Sequence, residues 1–283
     1  MLINSRTALL GILGNPLGHS LSPLMHNLTL QKMDLNYIYV PLEVGPDRLE
    51  EAITGIRALN FRGVNVTIPY KKAVIPFLDD LSPEASACAA VNLIRNENGR
   101  LTGFNTDGPG FMASLAQEGV DSTGNVLLLG AGGAAQSLAY ELSIIGARQL
   151  NILDLDGDKA SELAGLVNKL APGQAFGAQM SEGLFAGLSR EADLIINCTP
   201  VGMYPHLDES PVPSLREVRP DTVVYDIIYN PLTTKFLAAA QASNLKTING
   251  LSMFVNQGAL TLRILTGFDP PVDYMKEVVL DTF

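Results

Sequence analysis

Residues 125–156, NVLLLGAGGAAQSLAYELSIIGARQLNILDLD, constrain the fold of this 283-residue chain more than any other stretch. Four apolar residues, Val126 to Leu129, run straight into Gly130, Ala131, Gly132 and Gly133. Leu138, Leu142 and Ile145 then recur on one helical face, and Gly146 is placed to end that helix. A second apolar run, Leu150 to Leu153, stops at Asp154. Strand, glycine turn, helix, strand and acid, in that order, form the unit that binds a dinucleotide. Gly130 allows the tight turn, Gly132 lets backbone approach a pyrophosphate, and Ala135 lets the helix pack close on the strand. The new helix N-terminus offers unpaired N–H groups and a positive dipole end to phosphates. The expected contacts are therefore Gly130, Ala131, Gly132, Gly133 and Ala134 at the turn. Asp154 follows about twenty residues later, where an acid bonds the adenosine ribose.

The flanks must supply the chemistry. A 47% hydrophobic chain of this length can build two packed domains. Its formal charge of -10 argues against nucleic acid or an anionic membrane as partner. No apolar run is long enough to span a membrane, and residues 1–14 have neither a basic start nor a cleavage site, so a cytoplasmic location is expected. Cys88 and Cys198 sit in apolar contexts without metal-ligand spacing and read as buried free thiols. His19, His26 and His206 are too scattered for a metal site, and none is expected.

Upstream, residues 8–13, 37–42 and 64–68 read as strands, and 22–33 and 47–59 as helices. Ser22 suits a helix N-cap, with Pro23 at the first helical position. Residues 91–95 and 101–104 read as a hairpin about Asn98 and Gly99. After a helix over 111–117 comes the nucleotide unit, continued by a helix over 159–170, strands over 193–197 and 223–227 and a helix over 233–242. Two helices, 253–266 and 272–280, close the chain. The expected fold is two-domain α/β, with an N-terminal α/β unit that has no dinucleotide fingerprint beside a Rossmann-like dinucleotide domain and a cleft between them where Asp107 joins the two. The C-terminal helices can pack back on the first domain and make it discontinuous.

Polar residues gather where such a chain should be apolar: Ser20 and Ser22; Asn65, Thr67 and Lys71; Asn92; Asn105, Thr106 and Asp107; and Gln257. In VNVTI, alternation turns Asn65 and Thr67 away from the face of Val64, Val66 and Ile68. Lys71 lies just beyond that strand end, where open α/β sheets place ligands. With Asp107 at the hinge it makes a plausible proton-transfer pair. The bland readings are local: asparagine bonded to turn backbone, serine as a cap, Lys71 and Lys72 as a solvated pair.

The segments GNPLGHSLSPLMHN, GVNVTIPYK, AVNL, GFNTDG, GAGGAA, NCTPVGM, YDIIYNPLTT and MFVNQGA resemble, in order and over nearly the whole chain, the shikimate dehydrogenase family. The resemblance implies an N-terminal α/β substrate domain, residues 1–107 completed by 248–283, beside a Rossmann-like dinucleotide domain, residues 108–247, with the catalytic cleft between them. It also implies reversible NAD(P)-linked reduction of 3-dehydroshikimate to shikimate in aromatic amino-acid biosynthesis. By motif, Ser20 and Ser22 would hold the substrate carboxylate, assisted by Thr67 and Tyr229. Asn65, Asn92 and Gln257 would bind ring hydroxyls, and Lys71 and Asp107 would be the catalytic pair. Thr199, Val201 and Gly250 would join the glycine turn and Asp154 around the cofactor. The partner is then a small molecule, and the chain a monomer or homodimer.

Two departures bear on the cofactor. Asp154-Leu155-Asp156 stands where NADP-specific members tend to have Asn-Arg-Thr, and Gln136 stands where an arginine is frequent. Both remove partners for a 2′-phosphate, so NAD is expected over NADP, despite Lys159 and Arg148 nearby. The Ser20-Leu21-Ser22 spacing resembles the shikimate-selective substrate loop. The alternatives are an enzyme of the quinate branch and, more remotely, a non-catalytic dinucleotide sensor. The Lys71 and Asp107 pair speaks against a sensor.

Overall fold

The computed structural model describes residues 3–283. They fall into two compact units, one of residues up to Gly110 with Val255–Phe283, the other Phe111–Phe254.

In the first unit the strands are β1 (Ala8–Gly14), β2 (Tyr37–Glu43), β3 (Gly63–Val66), β4 (Asp80–Leu81), β5 (Leu93–Glu97) and β6 (Arg100–Phe104). They form one mixed sheet in the order β2-β1-β3-β5-β6-β4. β1 runs parallel to β2 and β3, whereas β5 is antiparallel to β3 and β6. β5 and β6 are the expected hairpin; Asn98 and Gly99 both take positive φ, the turn that matches strand twist. The first four helices are α1 (Ser22–Lys32), α2 (Leu49–Ala58), α3 (Pro83–Cys88) and α4 (Asp107–Gln117), the last starting in the first unit and ending in the second. Ile53 and Ile56 of α2 pack with Leu13, Val64, Val66 and Ile94 in one apolar cluster.

Three local expectations change. Leu21 is already helical (φ −83°, ψ −3°) and is the N-cap of α1, so Ser22 is the first helical residue rather than the cap. β3 ends at Val66, and with the alternation broken there Ile68 is 55% exposed instead of turned inward. α4 starts at Asp107, four residues earlier than expected, because the Asn105 side-chain oxygen accepts from the backbone N–H of Asp107 (3.1 Å) and Gly108 (3.4 Å).

The second unit holds β7 (Asn125–Leu129), β8 (Gln149–Asp154), β9 (Ala175–Gln179), β10 (Leu194–Asn197), β11 (Val223–Asp226) and β12 (Lys246–Ile248). Every pairing in its sheet, ordered β12-β11-β10-β7-β8-β9, is parallel. Around it lie α5 (Gly133–Ile144), α6 (Gly157–Leu170), α7 (Glu182–Ser189) and α8 (Lys235–Ala242); α9 (Leu251–Thr266) and α10 (Val272–Leu280) end the chain. The apolar run of β7 is divided by the pleat. Val126 and Leu128 pack with α5 and α6, Leu127 and Leu129 with α7 and α8. All four are fully buried, as a parallel strand covered on both faces requires, and each contributes roughly 1.5–3 kcal/mol by its burial.

Among the described residues no helix is long and apolar enough to cross a membrane, and no group of side chains is arranged to hold a metal ion. Cys88 and Cys198 are buried thiols outside any disulfide.

Candidate active site

The loop leaving β3 carries Lys71, whose carbonyl accepts from the N–H of Val91 at 2.8 Å. Its side chain is 16% exposed and its ammonium lies 2.5 Å from Oδ2 of Asp107, itself 8% exposed. Both residues belong to the first unit, so the pair is not split across the two. Asp107 occupies the first turn of α4, where the dipole favours an anion.

The second oxygen of Asp107 is held as firmly. Asn92 donates from Nδ2 to Oδ1 of Asp107 and to Oγ1 of Thr106, each at 2.8 Å, and accepts from the Thr106 N–H at 2.7 Å. Asn105, besides capping α4, donates to the Ala90 carbonyl at 2.9 Å. The acid is therefore fixed at both oxygens, and the lysine has two further N–H groups for a ligand. This pair can pass a proton to or from a hydroxyl placed beside it.

Asn65, on β3, is tied into the same wall. It donates to the Asn92 carbonyl (3.1 Å) and to Thr261 Oγ1 on α9 (3.0 Å), and accepts from the Tyr39 hydroxyl (2.7 Å). Both amide hydrogens of Asn65, like both of Asn92, are spent inside the protein, so each amide has only acceptor capacity left for a ligand. Gln257, one turn before Thr261, lies against α4: a Cβ on Gly110 would come within 2.8 Å of its backbone nitrogen. Thr67 packs on Gly14, where no side chain fits. Ser20 Oγ accepts from the Ser22 N–H at 3.4 Å, and Ser22 is buried at the start of α1 without a capping bond. Tyr229 belongs to the second unit, stacked on Phe254 with ring centroids 3.9 Å apart.

The residues expected around a dinucleotide also lie in the second unit. Gly130 has φ +101°, and its N–H donates to the Leu153 carbonyl at 2.7 Å, closing the turn. Gly132 precedes α5, whose N-terminus has no side-chain cap, and a Cβ on Gly132 would meet only open space. The N–H groups of Gly133 and Ala134 are thus left to a ligand, which fits a pyrophosphate. Asp154 ends β8; its carboxylate accepts from the N–H of Ala131 (2.7 Å) and of Asp156 (2.9 Å). Thr199 adjoins the turn, its methyl 3.0 Å from where a Gly130 Cβ would stand. Asn197 holds Thr199 through N–H (3.0 Å) and hydroxyl (2.6 Å), and donates to the Val201 carbonyl at 3.2 Å. Gly250 is pressed against the Ile227 carbonyl, where a Cβ cannot fit. Gln136 is buried, and Lys159 is an exposed side chain 3.3 Å from Asp156.

Sequence reasoning missed Tyr39, Thr261, Asn197, Asp226 and Thr234, which support these groups. Only Asp226 carried a signal, as a lone acid in the apolar run VVYDII.

Residues 12–94 match the family described as the shikimate dehydrogenase substrate binding domain, and residues 250–280 the shikimate 5'-dehydrogenase C-terminal domain. A relative from Syntrophomonas wolfei, named shikimate dehydrogenase (NADP(+)), is 53% identical, covering 99% of this chain and 96% of its own. The structure is similar to shikimate 5-dehydrogenase from Listeria monocytogenes in complex with shikimate and NAD, with TM-score 0.88 and 35% identity over 99% of this chain and 98% of that one. It is also similar to the Thermus thermophilus enzyme in complex with NADP(H) and shikimate, with TM-score 0.85 and 34% identity over 98% and 100% of the two chains.

Proposed function

The chain belongs to the shikimate dehydrogenase family, and from that premise we propose that it catalyses reversible NAD-linked reduction of 3-dehydroshikimate to shikimate, with Lys71 as proton carrier. The observation that carries this reading is the Lys71–Asp107 pair at 2.5 Å, fixed by Asn92 and Asn105 in a nearly dry wall of amides and hydroxyls. A ketone that becomes an alcohol needs one proton at its oxygen, and the ammonium of Lys71 supplies it. In the reverse direction the amine takes the proton back. Asp107 holds the lysine in register and balances its charge. The nicotinamide, when bound, supplies or accepts the hydride.

The substrate is a small carboxylate ring bearing hydroxyls, and the residue types suit it. Ser20, Ser22 and Thr67 hold the carboxylate, and the hydroxyl of Tyr229 is a further donor of the kind it takes. Ring hydroxyls donate to the free acceptor positions of Asn65 and Asn92, and Gln257 adds a further amide. Gly130, Ala131, Gly132, Gly133 and Ala134 cradle the pyrophosphate, and Thr199, Val201 and Gly250 bound the nicotinamide end.

NAD is the better fit than NADP. The carboxylate of Asp154 is pinned by two backbone N–H groups, and Asp156 is engaged in capping α6. A 2′-phosphate there would face like charge, which costs up to several kcal/mol. Leu155, 82% exposed, offers no donor. Lys159 is exposed and paired with Asp156, and a screened surface lysine does not offset a fixed acid. The test is the ratio of kcat/KM for NAD and NADP at saturating shikimate, with quinate as a parallel substrate. A ratio favouring NAD, lowered in Asp154→Asn, supports the reading. A ratio favouring NADP refutes it.

A further inference from the structure

Asp226 is fully buried at the C-terminal end of β11 and makes three hydrogen bonds, each to a different segment. Its Oδ1 accepts from Asn197 Nδ2 at the end of β10 and from the Ile228 N–H in the following loop, both at 3.1 Å. Its Oδ2 accepts from the Thr234 hydroxyl at 2.7 Å, and Thr234 in turn caps α8 by accepting from the Leu237 N–H. Each segment leads to a residue assigned above. Asn197 positions Thr199 and the carbonyl of Val201; the Ile227–Ile228 backbone abuts Gly250 and precedes Tyr229. Gly202, with φ +105°, packs on Thr234.

We propose that Asp226 is a positioning residue, an ionised buckle that locks the loops after β10 and β11 to the start of α8. Those loops then present Thr199, Val201 and Gly250 to the dinucleotide in one fixed arrangement. The inference rests on the proposed dinucleotide site and deepens it. The chemistry explains why an acid stands here. A carboxylate accepts at both oxygens, so all three donors are satisfied at once. A protonated acid, or an amide, must donate at one of those positions. Thr234 Oγ1 can receive that bond, but the threonine hydrogen then has no acceptor.

Among the described residues no cation beside Asp226 offsets its charge. The titratable neighbours are the Cys198 thiol from the β10 side and the Tyr225 phenol on its own strand, both driven up by burial and neutral. Burial without a cation pushes the acid itself up to about 6. His206 and Glu209 pair with each other on the surface, and Lys235 reaches outward to the Asp208 carbonyl. The buckle therefore opens as pH falls through about 6.

Calorimetric titration of the full chain with NAD+ between about pH 5 and 8 tests this, because no group on NAD+ ionises there. The wild-type Kd should rise on acidification. Asp226→Asn should show a Kd raised about tenfold at neutral pH, the size of a lost bond to a charged group, with the pH step gone. Thr234→Val removes one donor from the carboxylate, so it should move the midpoint to higher pH, and Thr234→Ser should restore it. This second pair keeps the test open if Asp226→Asn does not fold. Wild-type affinity that is flat with pH, an Asp226→Asn profile matching wild type, or an unmoved midpoint in Thr234→Val would overturn the inference. So would a pH step that disappears in His206→Asn and survives in Asp226→Asn. If the titrations behave as expected while shikimate is not turned over, the substrate reading fails and the buckle stands.

Discussion

Ser22 separates a functional hydroxyl from a structural one. Because Leu21 fills the cap position, Ser22→Ala removes no capping bond, and the usual cap-loss penalty of about 0.5–2 kcal/mol does not apply. The variant should keep its melting temperature and raise the apparent KM for shikimate ~10- to 150-fold, the cost of one bond to a carboxylate. A lowered melting temperature with normal kinetics would assign Ser22 to folding alone. Two other buried residues contribute to the acid response of stability, with opposite signs. His26 is fully buried with both ring nitrogens unpartnered, and burial brings its pKa down to about 3. The unfolded chain takes up that proton near pH 6.5 and the folded chain does not, so His26 costs stability as pH falls below about 6.5. Asp226, raised to about 6, is the converse. Its contribution is full below the unfolded carboxylate pKa and is lost as pH rises through about 6. Between pH 6 and 4 the two slopes oppose. Denaturant unfolding across that range should show Asp226→Asn losing about 2 kcal/mol more than wild type, and His26→Leu losing less. Parallel curves for all three would contradict both assignments.

At the scale of elements, two glycines expected around the cofactor do different work. Gly132 faces open space at the start of α5, so Gly132→Ala should fold normally and lose dinucleotide affinity, its methyl standing where the phosphates approach. Gly250 lies against the Ile227 carbonyl, so Gly250→Ala should lower the melting temperature by forcing the β11 loop aside. Thermal melts and NAD+ titrations on both variants check the pair, and like behaviour of the two would refute it. The strand-turn-helix unit was legible in the sequence because its signals are local: apolar run, glycines, helical period and acid all lie within residues 125–156. The hairpin was legible for the same reason, through Asn98 and Gly99. β9 and β12 were not. They are short edge strands, partly exposed, so neither a buried run nor clean alternation marks them. β4 and α3 escaped for want of length. The polar site was legible as residue types in odd places. Its wiring was not, since Asn65 to Thr261 and Asn197 to Asp226 join residues far apart in sequence.

Across the whole molecule the tasks divide between the units. The first holds the Lys71–Asp107 pair and the amides and hydroxyls suited to a ring acid; the second holds the glycine turn, Asp154 and the loops proposed to meet the dinucleotide. The formal charge of -10 is spread over both and sets no partner, so recognition rests on the placed groups. The proposed chemistry depends on Lys71 carrying the proton in shikimate oxidation. Its most direct test compares wild type and Lys71→Ala by steady-state absorbance of NADH with shikimate, alongside NAD+ affinity by calorimetry. Turnover of Lys71→Ala should fall ~100-fold or more, the usual worth of a general acid–base group, with NAD+ affinity unchanged. Near-normal turnover in Lys71→Ala would contradict it.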